Sequence, residues 1–149
     1  MAENEFDVVI IGSGPGGYVA AIKAGQMGMK TACVEVGELG GVCNNVGCIP
    51  TKAMLESAKH AHEIANLTEF GVTVGDVKLD IGVAAKRSKK VADMGARGIA
   101  YLFKKNKVEW VKGWGKLDGG GKIAVALNDG TERILQAKNI IVATGSRAK

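Results

Sequence analysis

Cysteine and aromatic residues are scarce: three cysteines and 5% aromatic side chains among 149 residues. An odd number of cysteines, few and unevenly spaced, excludes the stapled scaffold of a small secreted protein. It favours a reducing compartment, where a disulfide is more often reactive than structural. No run approaches the ~20 apolar residues of a membrane-spanning helix. The opening Met1-Ala2-Glu3-Asn4-Glu5 is acidic and leads straight into an apolar run, so neither a signal or transit peptide nor a membrane anchor is expected. The expected location is the cytoplasm, or the mitochondrial matrix in a eukaryote. Basic residues outnumber acidic ones, 20 to 15, giving a formal charge of +5, yet they are not interleaved with aromatics. The run Lys86-Arg87-Ser88-Lys89-Lys90 falls on the polar side of a helical pattern and reads as a solvated face, not a nucleic-acid surface. Internal repeats and low-complexity linkers are also lacking, and 46% hydrophobic residues suffice for one domain with a real core.

Glycine, by contrast, is abundant at 22 residues, and its placement carries information. Gly12-Ser13-Gly14-Pro15-Gly16-Gly17 follows the β-branched run Val8-Val9-Ile10-Ile11. The pattern predicts a strand over 6–11, a helix continuing through 18–24 and closing near Gly28, and a second strand over 31–36. In such a β-turn-helix-β unit Gly12 permits the tight turn, Gly14 lets backbone approach a pyrophosphate, and Gly17 lets helix and strand pack closely. The helix start, with Pro15 in it, offers free N–H groups and positive dipole to phosphates. Glu35, ending the second strand, is placed to accept hydrogen bonds from ribose hydroxyls and disfavours a 2′-phosphate. FAD or NAD is therefore expected rather than NADP. Cys33, inside that strand, reads as a small buried hydrophobe.

Farther along, helices are expected over 50–65, with Met54, Ala58, Ala61 and Ala65 near one face, and over 80–105, with Ala84, Val91, Met94, Ile99 and Leu102 near one face. Extended runs follow over 108–117, 122–127 and 132–135, separated by Gly119-Gly120-Gly121 and Asn128-Asp129-Gly130, which read as a three-stranded antiparallel meander. A last buried strand over 139–143 precedes Thr144-Gly145-Ser146. The fold class read from this order is α/β: a Rossmann-like unit with a parallel sheet plus the meander. An incomplete parallel sheet would leave an exposed edge through which copies could associate.

The second motif is Cys43-Asn44-Asn45-Val46-Gly47-Cys48 ahead of Ile49-Pro50-Thr51-Lys52. Residues five apart on a regular helix have Cα atoms about 8–9 Å apart, beyond the ~7 Å a disulfide spans. The segment must therefore bend if Cys43 and Cys48 bond, and Gly47 and Pro50 provide the freedom. Cys48 stands just before the helix that Pro50 opens, with Lys52 nearby. Three readings of the pair stay open: a reversible redox disulfide, a structural disulfide, or a zinc site completed by His60 or His62. The histidines, about 160° apart on a helix, read as ordinary helix residues, and no metal is expected.

In these motifs the chain resembles the flavoprotein disulfide reductases (the class I pyridine nucleotide-disulfide oxidoreductases), and within them the dihydrolipoamide dehydrogenase branch. The likeness runs through 7–23, Leu39-Gly40-Gly41-Val42-Cys43, Asn45 to Ala53, 102–107, Gly113-Trp114-Gly115-Lys116 and Ile140 to Ser146. The resemblance implies an FAD-binding domain over 1–149, with FAD contacts at Gly12, Gly14, Pro15, Gly17, Glu35, Gly40, Gly41, Val42, Cys43, Lys52, Gly115, Thr144, Gly145 and Ser146. It implies that Cys48 is the sulfur beside the flavin, that Cys43 exchanges with the dithiol substrate, and that Lys52 sits by flavin N5. The parent's partners would be dihydrolipoamide on the lipoyl domain of an acyltransferase and NAD, in a homodimer. Members of the family are much longer, so the NAD and dimerisation domains are read as absent and FAD binding without full turnover is expected. The alternatives are a non-catalytic nucleotide-binding or self-associating module, and a first unit that holds NAD. Three departures stand out: Asn44 replaces an apolar residue, and Gly25 and Val36 replace an alanine and a basic residue.

Overall fold

The computed structural model describes residues 4–146. Its elements in chain order are β1 (Glu5–Ile11), α1 (Pro15–Gln26), β2 (Thr31–Glu35), α2 (Gly41–Asn45), α3 (Cys48–Ala65), a short 3-10 turn (Leu67–Phe70), α4 (Ile81–Lys105), β3 (Glu109–Leu117), β4 (Lys122–Leu127) and β5 (Glu132–Val142). The fold is α/β. The continuous apolar run of β1 is explained by burial on both faces. Phe6, Val9 and Ile11 point into a core shared with Ala32, Val34, Ile123 and Leu135. Val8 and Ile10 point the other way, against Ala21, Cys33, Ile99 and Phe103. A strand covered on both sides has no polar face to alternate with.

β1 lies between β2 and β5, parallel to both, and β2 continues parallel to β3. β3, β4 and β5 are then antiparallel neighbours, as the glycine-rich punctuation predicts. The runs expected as separate strands over 132–135 and 139–143 are one strand. Gln136 is its hand-over point, opposite Lys122 of β4 and Glu5 of β1. β3 hands over likewise, from β2 at Lys112 to β4 at Gly113. Because these two long strands serve both halves, the five strands close into a barrel. The closure is partial: beyond Gln136 β5 pairs with β1 alone, and up to Lys112 β3 pairs with β2 alone, so each strand keeps an open edge there, as expected of an incomplete parallel sheet.

The helices pack outside the barrel. α1 starts with Pro15 at its first position and closes where Gly28 takes a positive φ. Gly25 answers one departure: a Cβ there would stand 2.5 Å from the Asn106 carbonyl oxygen, so alanine would collide with the end of α4. Asp80 caps α4, its Oδ1 accepting from the N–H groups of Gly82 and Val83 at 2.8 and 3.1 Å. The buried stripe of α4 is Ser88, Ala92, Ile99 and Phe103. Of the expected face only Ile99 belongs to it, while Met94 and Leu102 are exposed. The helix approaches α2 and α3 so closely that small side chains occupy the contact. Ser88 Oγ donates to the Pro50 carbonyl at 2.8 Å and Arg87 Nη1 to that of Ala53 at 2.9 Å. Part of the basic run thus clamps α3, and Lys86, Lys89 and Lys90 are solvated. On α3 only Ala53 is buried; Ala58 and Ala65 are exposed.

Candidate functional site

The C-terminal ends of the parallel strands β1, β2 and β5 meet at the glycine turn, where open α/β sheets bind ligands. Gly12 takes φ +99°, a region most L side chains avoid. Its N–H donates to the Val34 carbonyl at 2.8 Å, while the Ala143 N–H donates to that of Ile11 at 2.8 Å. Gly17 is buried where α1 crosses the turn, and a Cβ there would lie 1.8 Å from the Gly12 carbonyl oxygen. At Gly14 the space is open. Gly14 caps α1 without a side-chain bond, and the first turn carries no acidic residue. The positive end of the helix therefore faces the cleft.

Two cavities adjoin this turn. One, about 460 Å³, is lined by Gly12, Glu35, Val36, Trp114, Gly115 and residues 144–146, among others. The other, about 690 Å³, shares Gly12, Glu35 and residues 144–146 and continues past Gly14, Pro15, Gly41 and Val42 to Cys43 and Cys48. Together they form one groove from the sheet to the cysteines. Of the predicted contact residues, Gly17 and Gly40 lie beneath this lining. The N–H of Gly40 donates to the carbonyl of Ser13 at 3.0 Å.

Glu35 Oε2 accepts from the N–H and Oγ of Ser13 at 2.9 and 2.7 Å, and Oε1 accepts from the Gly37 N–H at 2.9 Å. A carboxylate offers about four lone-pair sites, so Oε1 retains one acceptor site on a residue that lines both cavities. Ser13, to which the sequence pattern assigns no role, belongs to this site. It is fully buried, and its Oγ also accepts from the Gly40 N–H at 3.2 Å, which ties the turn to α2. A small polar residue inside a glycine-rich turn was the available signal.

The bend expected between the cysteines is present. α2 ends at Asn45 and α3 begins at Cys48, with Gly47 between them at φ −118° and ψ −106°. Pro50 sits in the first turn of α3, where its missing N–H goes unneeded. Cys43 and Cys48 are thiols here, and the fold brings them together. The hydrogen bond shared with the Cys48 sulfhydryl, and secondarily desolvation, hold the Cys43 thiol above its ordinary pKa. The Cys48 N–H and the Lys52 ammonium act in the opposite direction. Lys52 is exposed and lies outside the groove's lining, close enough to be felt at Cys43. Cys33 is wholly buried, its thiol pushed up to about 12 by desolvation and by the charge of Glu35. His60 lies between Glu56 and Glu63 on α3. Among the described residues no three histidine, cysteine or acidic side chains are grouped to hold a metal, and no helix is long and apolar enough to cross a membrane.

The pyridine nucleotide-disulphide oxidoreductase family model matches residues 6–149. Among curated proteins the chain is 52% identical to dihydrolipoyl dehydrogenase 3 of Pseudomonas putida over 96% of its length, and 54% identical to dihydrolipoyl dehydrogenase of Chlorobaculum tepidum over 95%. It is 51% identical to the mitochondrial dihydrolipoyl dehydrogenase of Dictyostelium discoideum over 98%. It covers 31%, 30% and 30% of those relatives, and so spans just under a third of their length. A glycine turn on β1, a thiol pair on the adjoining bend and a family match over nearly the whole sequence agree: the chain belongs to the pyridine nucleotide-disulphide oxidoreductase family.

Proposed function

We propose that this chain is the FAD-binding, thiol-bearing part of a dihydrolipoyl dehydrogenase. The observation that carries the reading is the continuous groove, which begins at the glycine turn and ends at Cys43 and Cys48. Its residues suit FAD. Gly14 leaves open a cradle that a Cβ would fill, the free end of α1 takes the phosphates, and Glu35 keeps an acceptor for ribose. Backbone around Gly115 and residues 144–146 walls the adenosine end, and Gly41 and Val42 wall the route to the thiols. FAD, when bound, supplies a two-electron acceptor for the reduced pair.

The chain's own chemistry is thiol–disulfide exchange. In the oxidised pair, a thiolate of a dithiol substrate attacks the Cys43 sulfur and releases Cys48 as a thiolate. The second substrate thiol then breaks the mixed disulfide and frees Cys43, so substrate leaves as a disulfide and the pair stays as a dithiol. The Lys52 ammonium favours negative charge at this site. In the whole enzyme the substrate would be dihydrolipoamide carried on a lipoyl domain and the final acceptor NAD. The NAD site, the dimer contacts and the substrate's proton acceptor would lie in chain beyond these residues. The compartment would be the cytoplasm or the mitochondrial matrix.

Titration with FAD followed by flavin fluorescence tests the binding claim. Saturable binding that excess NAD fails to displace is expected. An unchanged signal, or displacement by NAD at comparable concentration, refutes it.

A further inference from the structure

We propose that Asn44 is a positioning residue for the thiol pair, fastening α2 to α4 so that Cys43 is held at the reach of Cys48. The inference rests on the reading of these cysteines as an exchanging pair. α2 has five residues, far fewer than the ~12–15 that hold a helix unaided, so tertiary contacts must set its orientation. Asn44 supplies the central one. It is 7% exposed, and its Nδ2 donates to the Ala92 carbonyl of α4 at 3.0 Å and to Asn45 Oδ1 at 2.9 Å. Asn45 Nδ2 donates in turn to the carbonyls of Gly41 and Leu39 at 3.0 and 3.2 Å. A polar chain therefore runs from α4 through both asparagines to the start of the helix that bears Cys43.

The surroundings are shaped to this side chain. A Cβ on Gly95 would stand 2.1 Å from Asn44 Oδ1, and one on Gly40 would stand 2.5 Å from Asn44 Cβ. α4 thus carries a notch at Gly95 that receives the amide. A buried polar group in such a slot fixes one arrangement, since moving it would leave the amide unpaired. Holding α2 in that arrangement keeps Cys43 beside Cys48 on the wall of one cavity before they bond, and so favours the intramolecular disulfide over the open dithiol.

Equilibration with glutathione tests this. Glutathione disulfide gains two electrons and two protons and becomes two glutathiones, while Cys43 and Cys48 lose the same and join. The equilibrium constant is read by quenching in acid, alkylating and weighing the protein. Asn44→Leu keeps the bulk and removes the latch. Gly95→Ala expels the amide from the other side while favouring the α4 helix intrinsically. Each variant should lower the constant about three- to tenfold, the worth of one buried hydrogen bond. Urea unfolding read by circular dichroism locates folded protein, and should Asn44→Leu fail to fold, Gly95→Ala carries the test. Constants within twofold of the parent in the folded variants overturn the proposal. A parent chain that never forms the Cys43–Cys48 disulfide with glutathione overturns the exchanging pair and this inference together. Disulfide formation that is indifferent to both substitutions overturns the inference alone.

Discussion

Replacing each of three neighbouring glycines by alanine should give three different outcomes. At Gly17 the new Cβ would fall 1.8 Å from the Gly12 carbonyl oxygen, a backbone atom that no rotamer change can move. Overpacking costs about 1–3 kcal/mol, and a backbone obstacle places this variant at the upper end or beyond. With a urea slope of about 1–3 kcal/mol per molar, the midpoint should fall by about 1 M or more. Gly16 is exposed, with nothing within 4 Å of its Cβ position, and lies outside the groove. Alanine there should stabilise α1 by about 0.5–1 kcal/mol and leave FAD affinity unchanged. Gly14 also has open space, but that space is the groove. Gly14→Ala should cost at most about 1 kcal/mol as a poorer cap and weaken FAD binding at least about tenfold, or about 1.4 kcal/mol. Urea unfolding and flavin titration on the three variants separate the effects. Gly14→Ala binding FAD as well as Gly16→Ala does would refute the placement of the phosphates.

Two further predictions concern titration. The hydrogen bond with Cys48 is the main cause of the raised Cys43 pKa, so alkylation of Cys43 by iodoacetamide should have its pH midpoint above that of an ordinary thiol. In Cys48→Ser the midpoint should change, and an identical profile in both proteins would contradict the contact. The Asp7 carboxyl is held below 3.8, chiefly by its hydrogen bond from Lys138 and then by that from the Lys30 N–H. A depressed carboxyl contributes stability above its unfolded pKa and loses it as pH falls through the folded one. Asp7→Asn should therefore melt below the parent at pH 6, and the gap should close as pH falls below about 3.8; a gap that is constant down to pH 2 refutes this.

Much of this architecture was legible because it rests on local rules. The run 8–11 followed by Gly12 and Gly14 announced β1 and its turn, and three glycines between 119 and 121 announced the hairpin. Closure of the barrel was not legible. It depends on β3 and β5 each exchanging one partner for another along their length, which no periodicity records. The face of α4 was misread because hydrophobicity ranks Met94 and Leu102 above Ser88 and Ala92, while close helix contact favours small residues and a hydroxyl that can bond Pro50. At the site, glycines and cysteines were visible as residue types with few other uses. The roles of Ser13 and Asn44 come from partners 27 and 48 residues away, and spacing within a motif does not reach so far.

The absorption spectrum of the chain, incubated with FAD and freed of unbound flavin, tests the central claim most directly. A stoichiometric flavin spectrum is expected, with a long-wavelength band appearing on partial reduction by dithiothreitol and missing in Cys48→Ser. A colourless protein, or bound flavin whose spectrum ignores the state of the cysteines, would contradict the account.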